Sequence, residues 1–208
     1  MSRPTDRYWG TLPSDFLRGK YLKDPNPQYH EITEIISKIG GSALDVGCAS
    51  CIMYPLLKSK GIDYTGLDIT EKFLEHARKL YPDLETRQGS ILDIPFPPRS
   101  FDTVFCKSLM LHLNPKDMPK AISEMMRVAS RYAIIGFRRT PRKTLSKLFR
   151  YENKGGCFYV TYRREDVEKA IKSSSKFKNL DVLPSKKWRG RTGAIYVIEL
   201  CARTRIGG

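Results

Sequence analysis

The residues best suited to chemistry lie where an apolar stretch runs into a turn of small residues. Residues 43–51 read Ala-Leu-Asp-Val-Gly-Cys-Ala-Ser-Cys, which predicts a strand that carries Asp45 and a turn at Gly47 that opens a helix. Small residues let the backbone pass close to a ligand, and a helix N-terminus offers free N–H groups. Because Asp45 can also accept hydrogen bonds from a cationic group, the stretch indicates a site for a nucleotide-like ligand.

A second carboxylate supports this interpretation. Residues 64–68, Tyr-Thr-Gly-Leu-Asp, predict the next strand, and Asp68 ends that strand 21 residues after Gly47. In nucleotide-binding sheets an acid at such a strand end typically binds the two ribose hydroxyls of the ligand. We therefore expect Asp68 to belong to the same site as Asp45.

Strands and helices alternate along the chain, as in a parallel sheet with helices on both faces. Apolar residues at helical spacing predict a helix that ends before Gly40 and Gly41, and Thr70 is the expected N-cap of a later helix. The remaining pattern predicts helices near residues 118–125 and 165–172, and strands near residues 85–88, 103–106, 132–137, 179–183 and 194–200.

Several short motifs in this order resemble the class I S-adenosylmethionine-dependent methyltransferases, in particular the small-molecule branch similar to quinone-biosynthesis enzymes. The resemblance covers roughly residues 30–137. It implies a doubly wound, seven-stranded, mostly parallel sheet of the Rossmann-like methyltransferase type, with an antiparallel last strand. The motifs are LDVGC at residues 44–48, GLDI at 66–69, GSILDIPF at 89–96, SFDTV at 100–104 and LHL at 111–113.

The resemblance implies S-adenosylmethionine as cofactor and S-adenosylhomocysteine as product. Asp45 and the Gly47 backbone would hold the methionine end, and Asp68 would bind the ribose hydroxyls. Ile69 would pack on the adenine, whose amino group would donate to Ser90. The full cofactor-binding set that it implies is Asp45, Gly47, Cys48, Ala49, Asp68, Ile69, Ser90, Ile91 and Cys106.

The sequence departs from the family pattern at the turn and beyond it. Ala49 and Cys51 replace two glycines of the family motif, and a positive φ at Cys51 would strain the backbone. Ser90 replaces the family's usual aspartate, and Asp93 either compensates for it or is an ordinary loop acid. Cys48 and Cys51 also form a C-x-x-C pair. Two thiols supply only half of a zinc site, so neither a metal nor a redox role is expected.

The acceptor side is less clearly marked. His112 follows the fourth strand, where it would either take a proton from the nucleophile or shape the loop by packing. Lys107 ends that strand and would pair with an anionic substrate or turn to solvent. Tyr8 and Trp9 lie in an aromatic N-terminal segment, which would close over the site or cover the core.

Residues 138–160 interrupt the alternation of strand and helix. The segment contains a short basic amphipathic stretch, and Arg138 and Arg142 are its candidate substrate-binding residues. Because the segment follows the fifth strand at the edge where ligands bind in such sheets, we expect a mobile lid over the acceptor site. The basic side of the amphipathic stretch consists of Arg142, Lys143, Lys147 and Arg150.

Positive charge is concentrated in the last third of the chain. The net charge is +15, and residues 131–208 hold 20 Lys and Arg against 6 Asp and Glu. A basic face attracts anions and speeds their encounter with the protein, or it simply keeps the protein solvated. The expected partner is an anionic small-molecule acceptor, with nucleic acid or an anionic membrane surface as alternatives.

Length and composition fit one domain of 208 residues. Its expected parts are an N-terminal helical cap (1–41), a cofactor-binding core (42–137), the basic lid (138–160) and a C-terminal helix with an edge hairpin (161–208). The sequence contains no apolar run of membrane-spanning length, and the N-terminus lacks a secretory signal pattern. Five cysteines, an odd number, suit a reducing compartment, so we expect a cytoplasmic protein.

Three function classes follow. The first is a methyltransferase acting on an anionic small molecule, and the second is a nucleic-acid methyltransferase, which the basic C-terminal third favours. Residues 105–108, Phe-Cys-Lys-Ser, differ from the N-P-P-Y type of turn that flanks an extruded base. The third class is a catalytically silent interaction module, suggested by Cys51 and Ser90. Calorimetry with the cofactor separates the third class from the others, and salt-dependent retention on RNA separates the second from the first.

Overall fold

A computed structural model describes residues 4–23, 26–138, 149–152, 158–174 and 176–201. The chain begins with three helices, α1 (Pro4–Thr11), α2 (Phe16–Lys23) and α3 (Gln28–Ile39). The later helices are α4 (Tyr54–Lys58), α5 (Glu71–Leu80), α6 (Met118–Val128) and α7 (Arg164–Lys172). The strands are β1 (Ser42–Val46), β2 (Asp63–Asp68), β3 (Glu85–Gln88), β4 (Phe101–Lys107), β5 (Ala129–Phe137), β6 (Phe149–Glu152), β7 (Phe158–Thr161), β8 (Phe177–Pro184) and β9 (Ala194–Leu200).

Seven strands form one twisted sheet in the order β3-β2-β1-β4-β5-β9-β8. The first five are parallel, whereas β9 runs antiparallel between β5 and β8. The predicted α/β sheet and its antiparallel last strand, β9, are therefore confirmed. Strand order reverses at β1 and β4, so the carboxyl ends of these two strands border the crevice in which such sheets bind ligands.

Helices cover both faces of the sheet. Buried side chains of α6 and α7 pack on one face in a cluster that includes Met125 and Ile171, both fully buried. Buried side chains of α3, α4 and α5 pack on the other face, around Ile36, Leu57 and Leu74. Each helix presents its apolar residues at a spacing of three or four, which explains why the sequence pattern predicted them.

The sheet edge opposite the crevice is tied together by Asp102. The Asp102 carboxylate accepts hydrogen bonds from the Ser42 backbone N–H (2.9 Å) and from its hydroxyl (3.2 Å). Gly41 adopts φ 77°, and a Cβ at this position would lie 2.1 Å from Asp102 Oδ2. Asp102 of the SFDTV motif thus joins the starts of β1 and β4, and Gly41 leaves room for it.

Three predicted local features differ in the structure. The helix after β1 begins only at Tyr54 and has five residues, because residues 47–53 form consecutive turns. Thr70 precedes α5 but makes no side-chain capping hydrogen bond. The segment in which the alternation of strand and helix was expected to pause contains β6, which pairs antiparallel with β7. Both strands are rich in aromatic and β-branched residues, which favour strands.

Most of the basic lid predicted for residues 138–160 lies outside the described residues. Arg142, Lys143 and Lys147 belong to that part, and the lid therefore stays a prediction, as do the boundaries of the four domain parts. Among the described helices, none has both the length and the apolar character required to cross a bilayer.

Candidate functional site

A cavity of about 240 Å³ opens at the carboxyl ends of β1, β2 and β4. It brings together nearly all the residues that the sequence placed in a site. The lining includes Tyr8, Trp9, Asp45, Gly47, Cys48, Ala49, Asp68, Ile69, Ser90, Ile91, Lys107, His112 and Arg138. Two predicted residues are not part of this wall: Cys106 is fully buried in the apolar core, and Arg142 lies outside the described residues.

Cys106 stays a predicted cofactor contact, and the structure places its side chain in the apolar core. Strand residues alternate between the two faces of a sheet, and Cys106 points into the core beside Val104 and Ile135. Its neighbour Lys107, at the end of β4, lines the cavity instead. Burial raises the pKa of the Cys106 thiol well above its usual value, which suits a packing role.

Asp45 is the most deeply placed charged group on the cavity wall, with 5% of its surface exposed. Its Oδ2 accepts a hydrogen bond of 2.8 Å from the Tyr64 hydroxyl on the neighbouring strand. Burial raises the pKa of Asp45 to about 7, and the negative charge of Asp68 adds to this effect. The Tyr64 hydrogen bond and the positive charge of Lys107 act in the opposite direction.

Asp68 links the end of β2 to the turn after β1. Its Oδ2 accepts the Ala49 N–H at 2.8 Å, and its Oδ1 accepts the Thr70 N–H at 2.9 Å. Burial raises the pKa of this carboxyl, while the hydrogen bonds from Thr70 and Ala49 oppose the rise. Asp68 therefore shapes the turn in addition to facing the cavity.

The turn itself is built on left-handed backbone. Gly47 has φ 77°, and the non-glycine residues Ala49 and Cys51 have φ 49° and 51°. Side chains disfavour this region, so the strain predicted for a positive φ at Cys51 is present. The Gly47 and Cys48 N–H groups donate to the Leu67 carbonyl at 2.7 and 3.1 Å, which fastens the turn to β2.

The two thiols of the turn pack against each other and against β2. Cys51 Sγ lies 3.5 Å from Cys48 Sγ, and both side chains are buried. A Cβ at Gly66 would lie 2.8 Å from Cys51 Sγ and 2.9 Å from Cys48 Sγ, so the thiols occupy the space that this glycine leaves. Within the described part of the chain, no group of three or more His, Cys, Asp or Glu is placed to hold a metal ion.

The segment after β3 forms the side of the cavity expected to bind adenine. Ile69, which directly follows β2, lines the same cavity and is 36% exposed, an unusual exposure for so apolar a residue. The Ser90 hydroxyl oxygen accepts the Leu92 N–H at 3.2 Å, so it already serves its own loop. Asp93 is exposed and is not one of the residues that line the cavity. This position favours an ordinary loop acid rather than a residue that compensates for the family aspartate replaced by Ser90.

An ion pair on α6 holds this segment in place. Arg127 donates to the Phe96 carbonyl at 2.9 Å and to the Ile94 carbonyl at 2.8 Å. Glu124 pairs with Arg127 and accepts the Ile94 N–H at 2.9 Å. No role was predicted for Glu124 or Arg127 from the sequence, because the backbone groups that they contact lie about 30 positions away along the chain.

His112 also lines the cavity, at the end of a short 3-10 helix (Met110–His112). Its ring meets the rings of Trp9 and Tyr159 edge-on, each with a centroid distance of 4.9 Å. These three residues come from α1, the 3-10 helix and β7. Tyr162, which directly follows β7, anchors the helix, because its hydroxyl lies 2.9 Å from the Met110 carbonyl oxygen and 3.1 Å from that of Leu113.

Two cations border the same cavity and lie beside aromatic rings. Lys107 Nζ is 3.8 Å from the centroid of the Tyr29 ring. The Arg138 guanidinium is 5.1 Å from the Trp188 ring centroid, and that of Arg189 is 4.9 Å from it. Such contacts hold a cation without neutralising it. Tyr29 belongs to the aromatic N-terminal segment that was expected to close over the site or to cover the core. Trp188 was not assigned to the site from the sequence, because it carries no sequence signal that distinguishes it from a core aromatic residue.

The family model for a methyltransferase domain matches residues 44–137, the segment from β1 to the end of β5. A ubiquinone biosynthesis O-methyltransferase of Dechloromonas aromatica (strain RCB) is 27% identical over 144 residues, which are 66% of this chain and 61% of that protein. The chain therefore spans about three fifths of the length of this curated relative.

Solved structures share the fold at low sequence identity. The 1,6-didemethyltoxoflavin-N1-methyltransferase of Burkholderia thailandensis, with 1,6-didemethyltoxoflavin and S-adenosylhomocysteine bound, has a TM-score of 0.69 at 12% identity and covers 98% of this chain and 92% of its own. A Rhodobacter sphaeroides protein provisionally named a Zn-dependent alcohol dehydrogenase has a TM-score of 0.74 at 10% identity, covering 97% and 100%. At these identities the likeness extends to the fold alone.

Proposed function

We propose that this protein transfers the methyl group of S-adenosylmethionine to an anionic small molecule, since a family model for a methyltransferase domain matches residues 44–137. One observation carries the proposal. Two buried carboxylates, Asp45 and Asp68, and two cations, Lys107 and Arg138, line the same cavity. The carboxylates suit a ligand with an ammonium group and ribose hydroxyls, and the cations suit a negatively charged acceptor.

The cavity wall fits this cofactor residue by residue. Asp45 would pair with the ammonium group of the methionine end, and Asp68 would accept hydrogen bonds from the ribose hydroxyls. Gly47 offers bare backbone between them, and Ile69 offers an exposed apolar side chain for the adenine. When bound, the cofactor supplies a methyl group on a positively charged sulfur, so the protein needs to align the acceptor and exclude water.

Aromatic side chains are suited to exclude water from the reaction. Trp9 of α1 and Tyr29 of α3 line the cavity. Helix α1 is joined to α5, because the Lys72 ammonium of α5 donates to the Gly10 carbonyl at 2.5 Å. Removal of water strengthens the electrostatic interactions inside a site. The N-terminal helices therefore serve as the cover of the cofactor and acceptor.

His112 is the candidate general base. All three histidines lie within the described residues, and His112 alone lines the cavity. An imidazole accepts a proton near neutral pH, which suits an acceptor whose hydroxyl, thiol or amine must lose a proton during transfer. The edge-on contacts with Trp9 and Tyr159 orient its ring. An acceptor that reacts as a preformed anion would need His112 only for packing.

Calorimetry with S-adenosylhomocysteine tests the cofactor assignment directly. We expect one binding site per chain, and an absence of binding would favour the silent interaction module. A screen of cell extract fractions with S-adenosylmethionine labelled in the methyl group then identifies the acceptor. Methylation of anionic small molecules supports the proposal, whereas labelled neutral or cationic products would contradict the anionic assignment.

Charge removal at the cavity tests the acceptor class. Lys107→Gln and Arg138→Gln should raise KM for an anionic acceptor, each by about tenfold for one lost charged hydrogen bond. Lys38→Gln and Lys79→Gln are matched controls, because both lysines are exposed at the ends of α3 and α5 that precede β1 and β3. These helix ends lie at the sheet edge opposite the cavity, so KM should stay unchanged.

A nucleic-acid acceptor is the second candidate, and an exposed basic turn favours it. Lys186, Lys187, Arg189 and Arg191 are exposed around Trp188, which lines the cavity. Retention on immobilised RNA that weakens steeply with salt, together with methylation of RNA in the extract screen, would support this candidate. Retention on phosphatidylglycerol vesicles would instead indicate an anionic lipid surface.

We propose that the protein is localised in the cytoplasm. The described cysteines, Cys48, Cys51, Cys106 and Cys201, are unpaired thiols. Thiols persist in a reducing compartment, whereas oxidising compartments favour disulfides.

A further inference from the structure

We propose that Tyr64 is a positioning residue for cofactor binding, whose hydroxyl orients the Asp45 carboxylate toward the ammonium group of the methionine end. This inference rests on the proposed function, since it assumes that Asp45 receives that ammonium group. It assigns a role to a residue outside the cavity lining and outside the motif that contains Asp45. The arrangement is specific to the side chains that this chain carries at positions 45 and 64.

The geometry of the pair supports a direct effect of Tyr64 on Asp45. The Tyr64 hydroxyl donates to Asp45 Oδ2 at 2.8 Å, and both residues are buried, with 4% and 5% of their surface exposed. In the register of β1 and β2, Tyr64 lies opposite Ala43 and Gly66 lies opposite Asp45. A hydrogen bond to one carboxylate oxygen fixes the plane of the carboxyl group. The hydroxyl therefore determines how Asp45 faces the cavity.

The Tyr64 ring is itself held in place by other rings. It meets the Tyr54 ring edge-on at a centroid distance of 5.5 Å, and Tyr54 meets the Tyr81 ring at 4.9 Å. The Tyr54 hydroxyl accepts a hydrogen bond of 2.8 Å from Lys58. Packed aromatic rings restrict rotation of the side chain, so the Tyr64 hydroxyl has little freedom to leave Asp45.

The charge balance around Asp45 makes a single hydrogen bond important. Burial and the negative charge of Asp68 on β2 disfavour the ionised carboxylate. The Tyr64 hydrogen bond from β2 and the positive charge of Lys107 on β4 favour it. Three further titratable groups act electrostatically with Asp45, and burial keeps each of them neutral: Tyr29 of α3, Cys48 of the turn and Cys106 of β4.

The sign of the pH dependence follows from this balance. The pKa of Asp45 is about 7, and an ammonium group binds the ionised form better than the neutral form. Affinity for S-adenosylhomocysteine should therefore fall as pH decreases through about 7. Removal of the Tyr64 hydroxyl takes away a group that favours ionisation, so the pKa of Asp45 rises and the fall in affinity moves to higher pH.

Tyr64→Phe tests the proposal, because it keeps the ring and removes only the hydroxyl. If the pKa of Asp45 rises by about one unit, the fraction of ionised Asp45 falls about eightfold at pH 6.5 and about twofold at pH 8. By calorimetry, we expect binding of S-adenosylhomocysteine to weaken by the same factors. Wild-type binding should release about half a proton at pH 7, measured from the heat in buffers of different ionisation enthalpy, and the variant should release more. Tyr54→Phe is the matched control, since its hydroxyl bonds to Lys58, and its affinities should equal those of the wild type.

A double-mutant comparison separates orientation from packing. In the background of Asp45→Asn, which has no titrating carboxyl, Tyr64→Phe should show no pH-dependent effect on affinity. Equal affinities and proton release for Tyr64→Phe and wild type would overturn the inference. Should Tyr64→Phe fail to fold, a fluorotyrosine at position 64 keeps the shape and donates more strongly, and it should lower the pH at which affinity falls. A wild-type protein that binds no S-adenosylhomocysteine contradicts the proposed function instead.

Discussion

Asp68 serves the fold and the ligand with the same carboxylate. Its two oxygens accept the N–H groups of Ala49 and Thr70, so its removal leaves two backbone donors without their acceptor. We expect Asp68→Ala to lower the free energy of unfolding, measured in urea, by about 1–3 kcal/mol, and affinity for S-adenosylhomocysteine by a similar amount. Asp68→Asn keeps one acceptor oxygen and should lose less stability. Unchanged affinity in the alanine variant would refute the ribose assignment.

Cys51 tests whether backbone strain in the turn is needed. Cys51→Gly relieves a positive φ but empties the space of a fully buried thiol. Each effect is worth about 1 kcal/mol, with opposite signs, so stability should change little, and cofactor affinity should stay equal or increase. Cys51→Ala is the control, because it removes the thiol and keeps the strain. A large loss of affinity in the glycine variant would reveal a function of the thiol.

At the scale of elements, the residue that directly follows β7, Tyr162, supports the 3-10 helix that carries His112. The Tyr162 hydroxyl lies within hydrogen-bonding distance of two carbonyl oxygens of the 3-10 helix segment. Tyr162→Phe should lower the free energy of unfolding by about 1–2 kcal/mol, because a buried carbonyl group loses its donor. Turnover should fall more than cofactor affinity, since Asp45 and Asp68 lie on β1 and β2, away from the 3-10 helix that Tyr162 contacts. Calorimetry measures the cofactor affinity and initial rates measure the turnover. Equal losses of affinity and turnover would contradict a role of Tyr162 confined to the His112 side of the site.

The elements themselves were largely predictable, because their patterns are local. Apolar residues at a spacing of three or four predicted the long helices, and Asp45 and Asp68 were found because each follows an apolar strand. The contacts that complete the site join distant positions. The Tyr64 hydrogen bond joins β2 to β1, and Tyr162 contacts a 3-10 helix about 50 positions earlier in the chain. The pattern around Cys106 is apolar on both sides, so it did not show that this side chain lies in the core.

At the scale of the whole molecule, the charge of +15 should govern encounter with an anionic acceptor. Long-range attraction is screened by salt, so kcat/KM should fall by about threefold or more between about 50 and 300 mM NaCl. Affinity for S-adenosylhomocysteine, a zwitterion, should change much less over the same range. The Lys107→Gln and Arg138→Gln variants should retain most of the salt dependence, because the field arises from many surface cations. A rate that is independent of salt would contradict an anionic acceptor.

The position of β9 affects how the protein is made. Strand β9 pairs with β5 and separates it from β8, although it is the last strand of the sheet along the chain. During synthesis, β1 to β5 are complete while β5 still has an open edge beside the position that β9 takes in the finished fold. At typical ribosome speeds β9 follows after roughly 3–12 s. Throughout that interval the nascent chain exposes an apolar strand edge, the kind of surface that pairs with other chains and that chaperones bind.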